Sequence, residues 1–306
     1  MPPDYIAPEI WFPNIGIYFE TVPRVFISPF GFDIYWYAVL IITGIILAAV
    51  MGFWWAGRTG QNIDAYWDLL LVGLILAFVG LRAYYVIFNW DTFRGQPLWR
   101  IAFGIRDGGL AIYGGIIGAI AAALIISWRY KIPFAVLADT GAPSMLLGQV
   151  IGRFGNFFNA EAYGGFTNNL FAMRIREDRA AIVLPELLLS EPIHGAYYIQ
   201  VHPTFFYEAA FNLVWMIVLL IYRPHKRFDG EIVFLYFLGY GVARFFIEGL
   251  RTDQLPFFGT GWAASQVVSV LFVAASLAAL VVGHMNVGKT KQPSVIKKAP
   301  AKRRRR

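Results

Sequence analysis

The sequence predicts an all-α integral membrane protein with seven transmembrane helices and an extracytoplasmic arm or head segment. Its N-terminus is expected outside and its C-terminus in the cytoplasm. Three observations predict this. Of 306 residues, 58% are hydrophobic and 15% charged, with mean hydropathy +0.56, whereas soluble domains carry about 25% charged residues. The apolar residues gather into recurring blocks of about 20, long enough to cross a hydrocarbon core of about 30 Å. Lys and Arg are distributed unequally over the two sets of connections, which sets orientation.

The spans are read as Ile34–Ala56, Asp68–Phe88, Leu110–Trp128, Phe134–Gly152, Thr204–Tyr222, Glu231–Leu250 and Ala263–His284. The first is free of charge, the second contains Arg82, and the sixth contains Arg244 and Glu248. One set of connections comprises the 57–67, 129–133 and 223–230 loops and the tail, with 15 Lys and Arg. The opposite set comprises the N-terminus, the 89–109 loop, the 153–203 segment and the 251–262 loop, with nine. The richer side is normally cytoplasmic.

Residues 1–33 form an extracytoplasmic or interfacial segment. They lack the basic start and apolar core of a signal peptide, and prolines at 2, 3, 8, 13, 23 and 29 oppose a regular helix. Trp11, Phe12 and Tyr18 suit the membrane surface. Residues 34–284 form the membrane domain, with 153–203 inserted as a head. That segment is too long for a simple connection and carries Arg174, Arg176, Glu177, Asp178 and Arg179. Residues 285–306 are a basic cytoplasmic tail, expected to be disordered. The tail holds nine of the 26 basic residues and no acidic ones, so the rest of the chain is at −2 despite a total of +7. The basic pI therefore belongs to a tail near anionic lipid, not to a nucleic-acid-binding face.

There is no cysteine, which excludes disulfides, thiol nucleophiles and cysteine metal sites. The histidines, at 194, 202, 225 and 284, show no short helical metal-site spacing.

Charged groups inside spans are costly and usually functional. The densest constellation runs from Gly148-Gln149 through Gly152-Arg153-Phe154-Gly155-Asn156-Phe157-Phe158-Asn159-Ala160-Glu161 to Gly164-Gly165. Arg153, Asn156 and Asn159 recur at intervals of three and would share roughly one helix face. An arginine with two amides offers fixed donors to an anion such as phosphate. Arg244 and Glu248 are spaced i, i+4, with Arg251 three residues on. They can neutralise one another within their helix, yet an isolated buried pair does not recover its desolvation. Two arginines from different spans suggest a clamp on a lipid phosphate. Further candidates are Arg82, Tyr113 flanked by glycines, His202 before Pro203, and Glu208 about a turn and a half into the fifth span.

Together these segments resemble the prolipoprotein diacylglyceryl transferase family. The resemblance rests on the run Gly152–Gly164, Trp36-Tyr37, Arg82, the Gly108–Gly115 turn, His202-Pro203 with Tyr207-Glu208, and Arg244 with Glu248 and Arg251. It covers about residues 30–283. It implies transfer of the diacylglyceryl group from phosphatidylglycerol to the lipobox cysteine thiol of a prolipoprotein signal peptide, in the bacterial plasma membrane. A thioether forms and glycerol 1-phosphate leaves. No metal or organic cofactor is implied. Arg153, Asn156, Asn159, Glu161, Gly164, Arg244, Glu248 and Tyr37 match family motif residues. Many members have histidine where this chain has Tyr113, so a base role would pass to Tyr113 or elsewhere.

On these grounds Arg153, Arg244, Tyr113, Glu208 and Glu248 are the candidate catalytic residues. Arg153, Asn156, Asn159, Glu161, Gly164, Tyr37, Arg82, Arg251 and His202 are the candidates for binding phosphatidylglycerol. A transporter or lipid-anion-binding protein would use the same arginines. Many transporter folds are built from related halves, and the sequence shows no internal repeat.

Overall fold

The computed structural model describes residues 7–104, 108–257, 259 and 261–287. The described residues are mostly helical, and among them seven helices are long and apolar enough to cross a membrane. These are α1 (Trp36–Arg58), α2 (Ile63–Phe88), α5 (Ile112–Tyr130), α6 (Phe134–Asn159), α7 (Thr204–Tyr222), α8 (Glu231–Leu250) and α9 (Ala264–Asn286), with short α3 (Trp90–Phe93) and α4 (Leu98–Phe103) after α2. Their outward faces are apolar. Ile42, Ile46 and Val50 are exposed one turn apart on α1, as are Leu71, Ile75 and Val79 on α2. Such stripes are stable against lipid chains rather than water.

The all-α expectation needs correcting. Among the described residues there are six strands: β1 (Ile10–Phe12), β2 (Ile17–Phe19), β3 (Val25–Ile27), β4 (Ile34–Tyr35), β5 (Met173–Arg176) and β6 (Tyr198–Val201). β3 and β4 form an antiparallel pair, and the other four make an antiparallel sheet in the order β2-β1-β5-β6. Alternation decides β5: Met173 and Ile175 are buried while Arg174 and Arg176 point outward. Ile10 of β1 pairs with Ile175 of β5. Ile10, Val22, Met173, Ile175, Leu187, Ile199 and Val201 then form one buried core with Tyr163 and Phe205. The N-terminal segment and the 160–201 segment thus share a sheet and a core.

The chain divides into two units. Among the described residues, one comprises the stretches 7–48 and 142–287 and the other 49–141. In the second, α2 and α5 cross with backbones almost in contact. A Cβ on Gly80 would lie 2.1 Å from the Gly114 carbonyl oxygen, and one on Gly118 would lie 2.1 Å from that of Leu76. Small residues four apart permit this approach. Ala56, Ala65, Tyr66, Ile126 and Leu137 cluster in the same unit. In the first unit, α6 presents glycines to α1. Gly148 meets Gly44, Gly152 meets Ile41, and Gly155 meets the ring of Tyr37.

Candidate functional site

Four chain segments of the first unit bring six charged side chains into one file. Arg153 lies on the last two turns of α6. Glu208 lies just inside α7, which starts after Pro203 as its spacing predicts. Arg244 and Glu248 are one turn apart on α8, and Arg251 follows its end. Arg153 Nη2 is paired with Glu208 Oε1, and Arg244 Nη1 donates to Glu208 Oε2 at 3.2 Å. Arg244 Nη2 is 2.7 Å from Glu248 Oε2, which also lies 4.0 Å from Arg251 Nε. Arg251 then grips Asp253 through Nε at 2.8 Å and Nη2 at 2.7 Å. The sequence leaves open whether Arg244 and Glu248 neutralise only each other. The structure shows that Glu208 joins them to Arg153.

The Glu208 side chain is only 3% exposed and that of Glu248 7%. Glu208 Oε1 and Glu248 Oε2 are buried without an aligned hydrogen bond, so ion pairing alone holds them. The three arginines and three carboxylates balance. The Arg251 guanidinium holds the Asp253 carboxyl below the usual carboxylate range.

One helical turn away lies a neutral polar layer. Gln149 Nε2 donates to the Tyr236 hydroxyl at 2.8 Å, and Asn212 Nδ2 donates to Gln149 Oε1 at 3.5 Å. Asn212 is fully buried and Tyr236 nearly so. Sequence reasoning included Gln149 in the motif run but missed Asn212 and Tyr236. The available signal was spacing, since Gln149 precedes Arg153 by four and Asn212 follows Glu208 by four.

The motif amides behave differently from expectation. α6 continues to Asn159, so Arg153, Asn156 and Asn159 do lie on one helix. Their donors diverge, however. Asn156 Nδ2 and Asn159 Nδ2 both donate to Glu161 Oε1, at 3.0 and 3.1 Å. The cause is the chain reversal after the helix. Ala160 and Ala162 have φ of 50° and 57°, a left-handed conformation costing about 1–2 kcal/mol per residue without glycine, and the turn folds Glu161 back under the helix end. Glu161 and Asn159 line a cavity of about 620 Å³ with Arg24, Tyr35, Tyr37 and Asp178. Asp178 was legible only as one of the head's charges, and neither it nor Arg24 was a candidate site residue.

Gly164 closes the turn. Its N–H donates to His202 O at 3.0 Å and it bridges to Arg251, while Gly165 N–H donates to Leu250 O at 2.9 Å. A Cβ on Gly164 would lie 2.7 Å from Leu250 O and 2.9 Å from His202 Cβ. His202 Nδ1 lies 3.3 Å from the Tyr207 hydroxyl, and burial pushes its imidazole below the usual histidine value.

Arg82 and Tyr113 lie in the other unit. Arg82 is buried, and its guanidinium donates to Ile101 O at 2.7 Å, Gly109 O at 3.0 Å and Arg100 O at 3.4 Å. Tyr113 opens α5, is 55% exposed, and its ring lies 6.1 Å from that of Tyr84. Gly114, one of the glycines flanking Tyr113, is packed against the Gly80 carbonyl and Tyr84 and leaves no open space there. The basic tail from residue 288 lies outside the described residues. Among the described residues, no group of three or more His, Cys, Asp and Glu forms a metal cluster.

Comparison with known proteins gives one consistent result. The family model described as prolipoprotein diacylglyceryl transferase matches residues 24–282. A protein of Halalkalibacterium halodurans is 39% identical over 259 residues, covering 84% of this chain and 85% of the relative. One from Bacillus cereus (strain G9842) is 41% identical over 237 residues, covering 76% and 82%. One from Shouchella clausii is 38% identical over 260 residues, covering 85% and 89%. All three are named phosphatidylglycerol–prolipoprotein diacylglyceryl transferase.

Proposed function

Because the chain belongs to the prolipoprotein diacylglyceryl transferase family, we propose that it transfers the diacylglyceryl group of phosphatidylglycerol to the lipobox cysteine thiol of a prolipoprotein. The observation that carries this reading is the buried file Arg153–Glu208–Arg244–Glu248, assembled from three helices within the stretch that the family model matches.

The chemistry follows from the residues. A thiol with pKa of about 8.5 is mostly protonated at neutral pH and is weak until it loses its proton. Its sulfur attacks the glycerol carbon that bears the phosphodiester oxygen. The C–S bond forms as that C–O bond breaks, and the bonding electrons pass to the phosphate of departing glycerol 1-phosphate. Arg153 and Arg244 stabilise the growing charge on this oxygen. The thiol proton passes to a carboxylate of the cluster, Glu208 or Glu248, and from there to the phosphate. Tyr37, Asn156, Asn159 and Glu161 orient the headgroup. Gly164, His202 and Arg251 form the turn that supports them.

On this reading the protein is a multi-pass component of the bacterial plasma membrane. Residues 1–33 and the head face outward, and the 285–306 tail faces the cytoplasm beside anionic lipid. The test is to incubate purified protein with phosphatidylglycerol and a lipobox peptide. A mass gain of one diacylglyceryl group is expected, and none when the peptide cysteine is serine. Anion binding or transport without that product, beside an active relative, would assign the arginines to a carrier instead.

A further inference from the structure

Glu208 stands where an anion bridging two arginines would stand. Arg153 of α6 meets Oε1, and Arg244 of α8 meets Oε2 at 3.2 Å. The two oxygens therefore accept from two guanidinium groups on different helices, as two non-bridging phosphate oxygens would. The other carboxylates are differently placed. Glu248 pairs with Arg244 and Arg251, one turn or less along its own chain, and Asp253 is gripped by Arg251 two residues away.

Charge gives the consequence. Arg153, Arg244 and Arg251 are already balanced by Glu208, Glu248 and Asp253. A phosphodiester monoanion entering this neutral cluster gains little unless it takes guanidinium groups over from a carboxylate. Glu208 is the carboxylate placed to yield them. Its Oε1 is buried and held by ion pairing without an aligned hydrogen bond.

We infer that Glu208 is an internal competitor for the phosphate position, occupying the space between Arg153 and Arg244 in the free protein and displaced from them when a phosphate binds. The inference rests on the transferase reading above and deepens it. It makes Glu208 a determinant of affinity for both the donor phosphodiester and the phosphate monoester product. Without an internal anion, three arginines would hold the more highly charged product tightly and slow its release. Affinity held equally by ground state and transition state does not speed the chemistry.

The test uses the full-length protein in lipid nanodiscs and glycerol 1-phosphate as probe, with binding measured by calorimetry. Glu208→Gln keeps the size of the side chain and removes its charge. It is expected to bind the probe roughly tenfold more tightly than wild type or better, a shift of about 1.4 kcal/mol. Glu248→Gln, which leaves the bridge in place, should tighten binding less. Glu208→Asp keeps the charge but shortens the reach, and should fall between wild type and Gln. It serves as the test if the Gln variant does not fold. Unchanged or weaker binding in Glu208→Gln would show that Glu208 only positions the arginines and would overturn the inference. Equal tightening in Glu208→Gln and Glu248→Gln would do the same, leaving net charge as the sole cause. If wild type forms no diacylglyceryl peptide while Glu208→Gln still binds the probe more tightly, the transferase reading fails and the anion competition stands.

Discussion

Arg244 of α8 and Arg82 of α2 are both arginines inside apolar helices, and their partners differ in kind. Arg244 is held by two carboxylates, Glu208 and Glu248, on two helices. Arg82 is held by the backbone carbonyls of Ile101, Gly109 and Arg100, with Phe93 beneath its guanidinium at 5.2 Å. A carboxylate partner can be exchanged for another anion, because one charge replaces another. A set of carbonyls fixed in a turn cannot be exchanged without undoing the turn. On the proposed reading Arg244 serves the ligand, while the carbonyl partners of Arg82 favour a role in the fold over the phosphatidylglycerol contact expected from the sequence.

The largest effect should come from weakening Arg244 while keeping its charge. Arg244→Lys loses the planar fork that reaches both carboxylates, and diacylglyceryl transfer to a lipobox peptide should fall about a hundredfold. Full activity in a folded Arg244→Lys protein would end the clamp model. At Arg82 the sign of the readouts reverses. Arg82→Lys should lower the thermal midpoint, at a cost of roughly 2 kcal/mol or more, while the KM for phosphatidylglycerol holds steady. A rise in KM at constant midpoint would put Arg82 beside Arg244 as a ligand group. Gly164→Ala lies between the two cases. Its methyl group would press on Leu250 O and His202, costing about 1–3 kcal/mol and slowing transfer together. Slowing without a stability change would mean that Gly164 faces substrate. The smallest effect is expected at Tyr113, whose side chain is more than half exposed. Tyr113→Phe should change stability by about 0.5 kcal/mol or less, and a clear loss of rate in that variant would place the phenol in the chemistry.

What the sequence disclosed follows the same physics. The seven helices were legible because a span needs about 20 apolar residues in a row, a signal that survives without tertiary information. The sheet was not, because its strands are three or four residues long and Ile10 finds its partner only at Ile175. Arg153, Glu208, Arg244 and Glu248 stood out as charges in apolar runs. Their pairing across helices could not be read, since no spacing along one helix encodes a neighbour on another. The span read from the sequence stops at Gly152, so Asn156 and Asn159 were legible only as residues that would share a face if the helix went on, which it does to Asn159. The reversal at Ala160 and Ala162, in a conformation that alanine seldom adopts, then turned both amides to Glu161. Asn212 escaped because an uncharged amide hardly disturbs an apolar run.

The position of β1 between β2 and β5 also sets a timetable for biogenesis. At about 5–20 residues per second, the ribosome needs roughly 8 to 30 seconds to go from Ile10 to Ile175, and α1, α2, α5 and α6 are made in that interval. One side of β1 waits unpaired throughout, outside the finished sheet. The nascent chain therefore carries an open, apolar strand edge through four helix insertions, the period in which aggregation or a holding chaperone would compete for it.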